Sequence, residues 1–210
     1  MHLVFGVVGP ILFIAVFVIE GWRRPDYSPA RHMVSSLSQG PGGWIQIANF
    51  VVCGLSVLGV AFSVSRIMRD SVVGLWGTAL LGVVGVGLIG AGVFVTDPEL
   101  GYPPGKARPT LIGRLHNLAS VAVFIALPTF ISVMASHFFA CPEMKRWGYY
   151  SAVTAVLFVL FLISFTVASA YVEEGKAVDL PVGLLQRIAI CLGWSWLASF
   201  AYMLGQQTFC

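Results

Sequence analysis

Long apolar segments alternate with short polar loops six times along the chain. A helix needs about 17 to 25 predominantly apolar residues to cross the roughly 30 Å hydrocarbon core of a bilayer. Each segment is long enough, and little chain remains between them for a soluble domain. The pattern predicts an all-α fold, a six-transmembrane-helix bundle that forms one integral membrane domain over residues 1–210. The predicted spans are 3–19, 44–65, 72–95, 117–139, 147–171 and 187–204.

The most polar stretch, RRPDYSPARHMVSSLSQGPGGW, separates the first two spans. Ser28-Pro29 is typical of a helix start, and Gly40-Pro41 is typical of a stop. Between them, apolar residues recur at i, i+3, i+4 and i+7, which places them on one face of a helix. These residues are Ala30, Met33, Val34 and Leu37. The segment is too short to span a bilayer, so it is predicted to be a short amphipathic helix over 29–38 at the membrane interface.

Composition supports a membrane protein. The chain is 58% hydrophobic and only 10% charged, with a mean hydropathy of +0.88, whereas soluble domains carry about 25% charged residues. The net charge of +3 is spread over short loops. A basic tail or patch is absent from the sequence, which argues against a nucleic-acid partner. The expected location is the cell membrane, as a multi-pass protein.

The third span carries a series of small residues. Gly74, Thr78 and Gly82 are four apart, and Gly85 and Gly92 are seven apart. Small residues let neighbouring helices approach closely in a membrane. We therefore expect tight packing along this span and place it at the centre of the bundle.

The four cysteines show no metal-ligand spacing. Cys53 and Cys191 lie inside predicted spans, and Cys141 and Cys210 lie near helix ends. Free cysteines are among the most buried residue types, so we interpret all four as buried apolar thiols.

Six spans place the loops after spans 1, 3 and 5 on one side of the membrane, which is the more polar side. Counting Lys and Arg gives eight on this side against four on the other, which favours the cytoplasm. The eight are interleaved with seven acids, however, and the loops on the other side, RIMRDS and PEMKRW, are short and net positive. We therefore predict that the polar face is extracytoplasmic. The eight cations are Arg23, Arg24, Arg31, Lys106, Arg108, Arg114, Lys176 and Arg187.

Ionisable residues at the polar ends of two neighbouring spans are candidates for a site. Asp97 ends the third span and His116 opens the fourth. An aspartate paired with a histidine fixes the imidazole tautomer and raises its basicity, as a general base or a metal ligand requires. We predict that the two side chains are linked by a hydrogen bond, directly or through one water, with segment 98–115 folded over them.

A catalytic zinc site needs three protein ligands, which His32, His116 and Asp97 supply only if His32 folds inward. His137 follows His116 by 21 residues, which is about 30 Å along a helix, so it belongs to the opposite interface. Zinc is therefore a possible cofactor on this ligand set.

The order of motifs is R-x-x-x-x-S followed by SSLS, then a helix-end DP, then LHN, then QR before the last span. This order resembles the uncharacterised six-helix membrane family known as domain of unknown function 998. The resemblance implies a fold and a polar face, but no activity. The chain has a more distant likeness to ceramidase and progestin-receptor-like membrane hydrolases, which hold zinc with a Ser, an Asp and three His. It differs from them in having six helices and no histidine pair near its C-terminus. The family's polar positions correspond to Arg24, Ser28, Ser36, Asp97, His116 and Arg187.

Two functions follow as hypotheses. In the first, the protein binds an anionic amphiphile such as a phospholipid or polyprenyl phosphate, and arginines donate to its phosphate oxygens. The ligand-binding residues would be Arg24, Ser28, Arg31, His32 and Arg187. In the second, a membrane-embedded hydrolase or lipid-modifying enzyme uses His116 as base or metal ligand, Asp97 to orient it and Ser36 as nucleophile or polar support. A transporter, a haem site between two histidines and a structural role remain further alternatives.

Overall fold

The computed structural model describes residues 2–104, 108–176 and 179–206, and within these ranges the fold is all-helical. Lys106 and Cys210, which entered the predictions above, lie outside the described residues. Six helices are long and apolar enough to cross a membrane, as the sequence predicts. They are α1 His2–Arg23, α2 Gly43–Ile67, α3 Val72–Val93, α4 Leu111–Ala140, α5 Lys145–Glu173 and α6 Val182–Gly205.

The helices form a closed ring. Each helix packs on the next along the chain, and α6 packs back on α1. Helices α2 and α6 are the most buried of the six. Helix α3 packs chiefly on α2 and α4, so its predicted central position is wrong. Its small residues bring it close to its two neighbours in the ring instead.

Glycines on α3 and on its neighbour α2 show how closely these helices approach one another. A Cβ atom added to Gly54 of α2 would lie 2.7 Å from the carbonyl oxygen of Gly85. A Cβ on Gly87 would lie 2.6 Å from Cγ2 of Val123 on α4. Both distances are shorter than van der Waals contact allows, so only glycine permits this spacing. Of the predicted small residues, Gly85 and Gly92 lie in such close contacts with α2, which confirms their role in helix packing, whereas a Cβ on Gly82 would meet nothing within 4 Å.

Several helices begin before the predicted spans. Helix α4 begins at Leu111 instead of 117, and the hydroxyl of Thr110 accepts a hydrogen bond from the Gly113 N–H at 3.0 Å as its N-cap. Helix α6 begins at Val182 instead of 187. His116 and Arg187 therefore lie in second helical turns, where the bundle buries both.

The predicted amphipathic helix over 29–38 is wrong. The N–H of His32 donates to the Ser28 carbonyl at 2.8 Å, which closes a single turn, and a 3-10 helix, Val34–Ser38, follows. All residues of that 3-10 helix are buried, including its three serines, so this part of the segment packs inside the bundle. The side chains of Arg24, Gln186 and Arg187 bind its backbone, as described below.

The cysteines are of two kinds. Cys53 and Cys191 are free thiols, and the Trp194 indole N–H points at the Cys53 sulfur at 3.3 Å. Cys141, at the end of α4, is disulfide-bonded. The interpretation as a buried thiol is therefore wrong for Cys141, because a helix-end position does not distinguish the two states.

Candidate functional site

The connector, residues 24–42 between α1 and α2, is held in place by Arg187 of α6. One guanidinium nitrogen, Nη1, donates to the carbonyl oxygens of Pro29 at 2.6 Å, His32 at 2.8 Å and Gly183 at 3.0 Å. The other, Nη2, donates to the Tyr27 hydroxyl. The side chain is buried and lies over the ring of Tyr27. Its donors are therefore used by the fold.

Arg24 and Gln186 close the two ends of the 3-10 helix. Arg24 donates from Nη1 to the carbonyl of Gln39 at 2.7 Å and from Nη2 to that of Leu37 at 2.9 Å. The Gln186 side-chain oxygen accepts from the Val34 N–H at 2.8 Å. Helix ends carry backbone groups without helical partners, and these side chains satisfy them. This explains why the segment is stable while buried.

The other residues predicted to bind a ligand are also engaged elsewhere. Arg31 pairs with Asp179 on the surface. The Ser28 N–H donates to Nδ1 of His32 at 2.9 Å, and the His32 ring packs against Tyr102 at 5.3 Å. Burial lowers the pKa of His32, and the nearby Arg31 and Arg187 lower it further. The predicted anion site of arginines does not assemble in the described part of the chain.

A cavity of about 400 Å³ lies among the polar halves of the helices, chiefly between α4, α5 and α6. Its deeper part is apolar and aromatic, and its polar side chains gather toward the loops. Helix α5 has no buried residue between Phe158 and Ala168, so this half of the helix stands away from the core and leaves the space. The apolar lining includes Phe13, Phe50, Leu88, Phe124, Phe165 and Trp194. The polar lining consists of Ser35, Glu99, His116, Asn117, Ser120, Thr166, Ser169, Glu173 and Gln186.

His116 is the one predicted site residue that lines this cavity, and it is 2% exposed. Its Nδ1 lies 2.9 Å from the Ala91 carbonyl oxygen and 2.8 Å from that of Phe94. Both partners accept hydrogen bonds, so Nδ1 carries the proton. The carbonyls belong to the C-terminal end of α3, where carbonyls lack helical partners. Nε2 is left as an acceptor, without a hydrogen-bonding partner among the described residues.

Asp97 anchors the start of α4. Its carboxylate accepts from the Thr110 N–H and the Thr110 hydroxyl, both at 2.7 Å. These two hydrogen bonds lower the pKa of Asp97. No direct hydrogen bond joins Asp97 to His116 within the described ranges. Asp97 instead fixes the N-terminus of the helix whose second turn carries His116.

The predicted catalytic and metal sets are not assembled. Ser36 is 1% exposed, and its hydroxyl has no hydrogen-bonding partner in the described part of the chain, but it does not line the cavity with His116. Among the described residues, no group of three or more His, Cys, Asp or Glu side chains could hold a metal ion. The residues predicted as zinc ligands, His32, His116 and Asp97, therefore do not fit a zinc site.

The acids of the cavity were missed as site residues. Glu99 lies between α3 and α4, and Glu173 ends α5, where it accepts from the Ser169 hydroxyl at 3.2 Å. Burial raises the pKa of Glu99, and the neighbouring Glu173 raises it further. In the sequence both acids count only toward the charge of the polar loops. Their shared position depends on how the α3–α4 loop, which carries Glu99, folds toward the end of α5, which carries Glu173.

The fold is that of a multi-pass integral membrane protein. The family described as "Protein of unknown function (DUF998)" matches residues 7–203, nearly the whole chain, and the protein belongs to that family. This confirms the family resemblance. No curated protein and no solved structure matches the chain.

Proposed function

We propose that this protein binds a lipophilic small molecule or membrane lipid in the cavity between α4, α5 and α6. The main observation in support is the cavity itself, which has a volume of about 400 Å³, a largely apolar lining and polar groups at one end. Small-molecule sites are typically concave, mostly apolar and about 300–1,000 Å³ in volume, with a few polar groups that orient the ligand. A ligand with an apolar chain and a polar head fits this division.

The route into the cavity lies between α4 and α5. Val121 of α4 and Thr166 and Ala170 of α5 line the cavity and are also exposed. All three belong to helices long enough to span the bilayer, so the opening faces acyl chains. A membrane-dissolved ligand would enter sideways, with its chain toward Trp194 and its head toward His116 and Asn117.

The anionic head group expected from the sequence is not part of this proposal. Arg24 and Arg187 donate to backbone carbonyls, and Arg31 pairs with Asp179. None of the three lines the cavity. A phosphate there would find no guanidinium to receive it.

The hydrolase alternative has less support. His116 presents a lone pair to the cavity, as a general base would, but catalysis also needs a nucleophile within its reach. Ser36 lies outside the cavity lining, and Asp97 is bound to Thr110. These partners would have to leave their present contacts before a reaction could begin.

Quenching of tryptophan fluorescence tests binding. The probe is a monoacylglycerol with two bromine atoms on its acyl chain, which is neutral and quenches indoles it contacts. We expect saturable quenching of the purified protein that largely disappears in Trp194→Phe and persists in Trp196→Phe. Trp196 is equally buried but is not part of the cavity lining. Equal quenching in both variants would show that the probe binds elsewhere.

A second pair of variants tests the route. Thr166→Phe fills the opening, while Val153→Phe enlarges an outward-facing residue of the same helix, 57% exposed and distant from the cavity. Thr166→Phe should weaken saturable quenching about tenfold or more, and Val153→Phe should leave it unchanged. Equal affinities in the two variants would contradict a lateral opening.

The membrane orientation stays a prediction, and two observations point in opposite directions. The short positive loops at the far end favour an extracytoplasmic polar end. The disulfide at Cys141 lies at that far end, and disulfides persist mainly outside the cytoplasm. Single cysteines at Asp179 and Arg69, exposed at opposite ends, decide between them. Labelling of Asp179→Cys alone by an impermeant maleimide in intact cells would support the prediction, and labelling of Arg69→Cys alone would reverse it.

A further inference from the structure

We propose that the ligand's head group is a cation, a protonated amine or a quaternary ammonium, bound at the polar end of the cavity between Glu99, Glu173 and His116. This inference rests on the lipid-binding function proposed above and specifies the chemical class of its ligand. It reverses the charge expected from the sequence. Three features of the cavity support it: its charged groups, their lack of cationic partners and the acceptor on His116.

The charged groups that line the cavity have one sign. Glu99 and Glu173 lie there, and no lysine or arginine does within the described residues. The uncharged polar side chains, such as Asn117 and Ser120, can accept hydrogen bonds as well as donate them. An ammonium group carries only donors and a positive charge. It therefore matches a lining rich in acceptors and negative charge.

The two acids have no protein cation to balance them in the described part of the chain. Other acids at this end are paired: Glu20 lies 3.4 Å from Nε of Arg24, and Glu174 bonds to Lys176 at 2.5 Å. No such ion pair is formed by Glu99 or Glu173 with any described residue. Apart from burial, the groups that raise the pKa of Glu99 are Glu173 and Asp97, and only a hydrogen bond from Asn117 opposes them. A bound cation would relieve this repulsion.

His116 provides an independent indication. The two α3 carbonyls hold the Nδ1–H, which leaves the lone pair of Nε2 in the cavity. The side chain is almost completely buried, and Nε2 accepts no hydrogen bond from any described residue, so a ligand donor that reaches it can bond to it. Protonating Nε2 instead would place an imidazolium in an apolar cavity, which desolvation disfavours. A ligand N–H is the partner that this atom lacks.

Three probes with the same dibrominated chain separate the possibilities: a primary alkylammonium, the fatty acid and the neutral monoacylglycerol. The readout is the quenching difference between wild type and Trp194→Phe, corrected for measured partitioning into the detergent micelle. We expect the alkylammonium to bind at least about tenfold more tightly than the fatty acid. Glu99→Gln and Glu173→Gln should each remove about tenfold of the ammonium affinity and leave the monoacylglycerol unaffected. Glu174→Gln, a neighbouring acid paired with Lys176, is the matched control and should change neither.

A charge-reversal variant tests the proposal through a gain of affinity for the opposite charge, which a misfolded protein would not show. Glu99→Lys should invert the preference, so that the fatty acid binds more tightly than the alkylammonium while the protein elutes as the wild type does. Equal affinities for the three probes, or a preference for the acid or the neutral lipid in wild type, would overturn the cationic head group and leave lipid binding intact. Absence of Trp194-dependent quenching by every probe would overturn the proposed function as well.

Discussion

Charged side chains have partners within the protein on one side of the polar end, and on the other side they border a cavity without a cationic partner among the described residues. On the α1 and α6 side, the Arg24 and Arg187 side chains are buried and donate to backbone carbonyls, to the Glu20 carboxylate and to the Tyr27 hydroxyl. On the α4 and α5 side, Glu99 and Glu173 border a cavity and have no cationic partner among the described residues. All four look alike in the sequence, as charges in loops beside membrane spans. The comparison teaches that a charge with its partners supplied by the fold is structural, whereas one without them is available to a ligand.

The physical basis of this difference is the cost of leaving a polar group unpaired at low dielectric. The connector buries several backbone carbonyls. The arginines donate hydrogen bonds to them and so remove the cost of leaving them unpaired. The cavity acids have no cation partner among the described residues, so their charge is available to a ligand that enters the cavity. The predictions below test each side of this contrast.

The largest effect is expected on the arginine side. Arg187→Met leaves the Pro29 and His32 carbonyls without their donor, so the free energy of unfolding should fall by on the order of 3 kcal/mol. For a chain of this size, that lowers the unfolding temperature by about 6–12 °C. Thermal unfolding in detergent measures it. Arg146→Met, an exposed arginine at the opposite end, is the control and should unfold with the wild type. If both variants unfold together, Arg187 does not hold the connector.

A smaller effect is expected at the other end of the 3-10 helix. Gln186→Leu removes the acceptor of the buried Val34 N–H, which should cost about 1–2 kcal/mol. Gln186→Glu retains an oxygen at the same position and should recover most of the stability at neutral pH. The same unfolding measurement serves. Equal losses in both variants would mean that packing, not this hydrogen bond, is what Gln186 contributes.

The acid side should respond to pH. The raised pKa of Glu99 means that its carboxylate takes up a proton at a higher pH than the roughly 4.3 of an ordinary glutamate. An alkylammonium keeps its charge over this range, so its affinity should fall by about tenfold as pH decreases through the raised pKa, the same loss as in Glu99→Gln. Glu173, Asp97 and His116 also face this region and would weaken cation binding in the same direction when protonated.

Glu99→Gln separates these contributions. Its ammonium affinity should be lower at neutral pH and should change less between neutral and acidic pH than that of the wild type. Quenching titrations with the brominated alkylammonium at several pH values measure both. An unchanged pH profile in the variant would assign the titration to another group.

The smallest effect is expected for Asp97→Asn. The Asp97 carboxylate binds Thr110 and not His116, so the substitution should weaken the α4 start slightly and leave ligand affinity within about twofold. His116→Ala should instead lose binding of the alkylammonium, and it should also lower the unfolding temperature because the Ala91 and Phe94 carbonyls lose their donor. Because the depressed pKa of Asp97 belongs to the folded state, its contribution is present above about pH 4 and is lost as pH falls further. Equal loss of binding in both variants would restore the predicted shared Asp–His site.

His116 illustrates how far the sequence led toward the site. Its place at the polar end of a span marked it as a candidate, and it does line the cavity. Its direct hydrogen-bonding partners were not predicted, because the carbonyls that fix its tautomer belong to the backbone of α3 and have no side-chain signature. Glu99 and Glu173 were overlooked for a related reason. Glu99 in the α3–α4 loop and Glu173 at the end of α5 are far apart in the chain and come together only at the cavity.

By itself the sequence determined the six membrane-spanning helices, the close packing of α3 and the family. These follow from composition and from spacing within single segments, since the bilayer requires long apolar helices whatever their neighbours are. Only the tertiary structure decided the conformation of the connector and which charged side chains have partners. The stripe at Ala30, Met33, Val34 and Leu37 fits a surface helix, but Arg24, Gln186 and Arg187 bind the backbone and hold a buried turn and a 3-10 helix instead. Which charge finds a partner depends on contacts between distant segments, and those are set by packing rather than by local pattern.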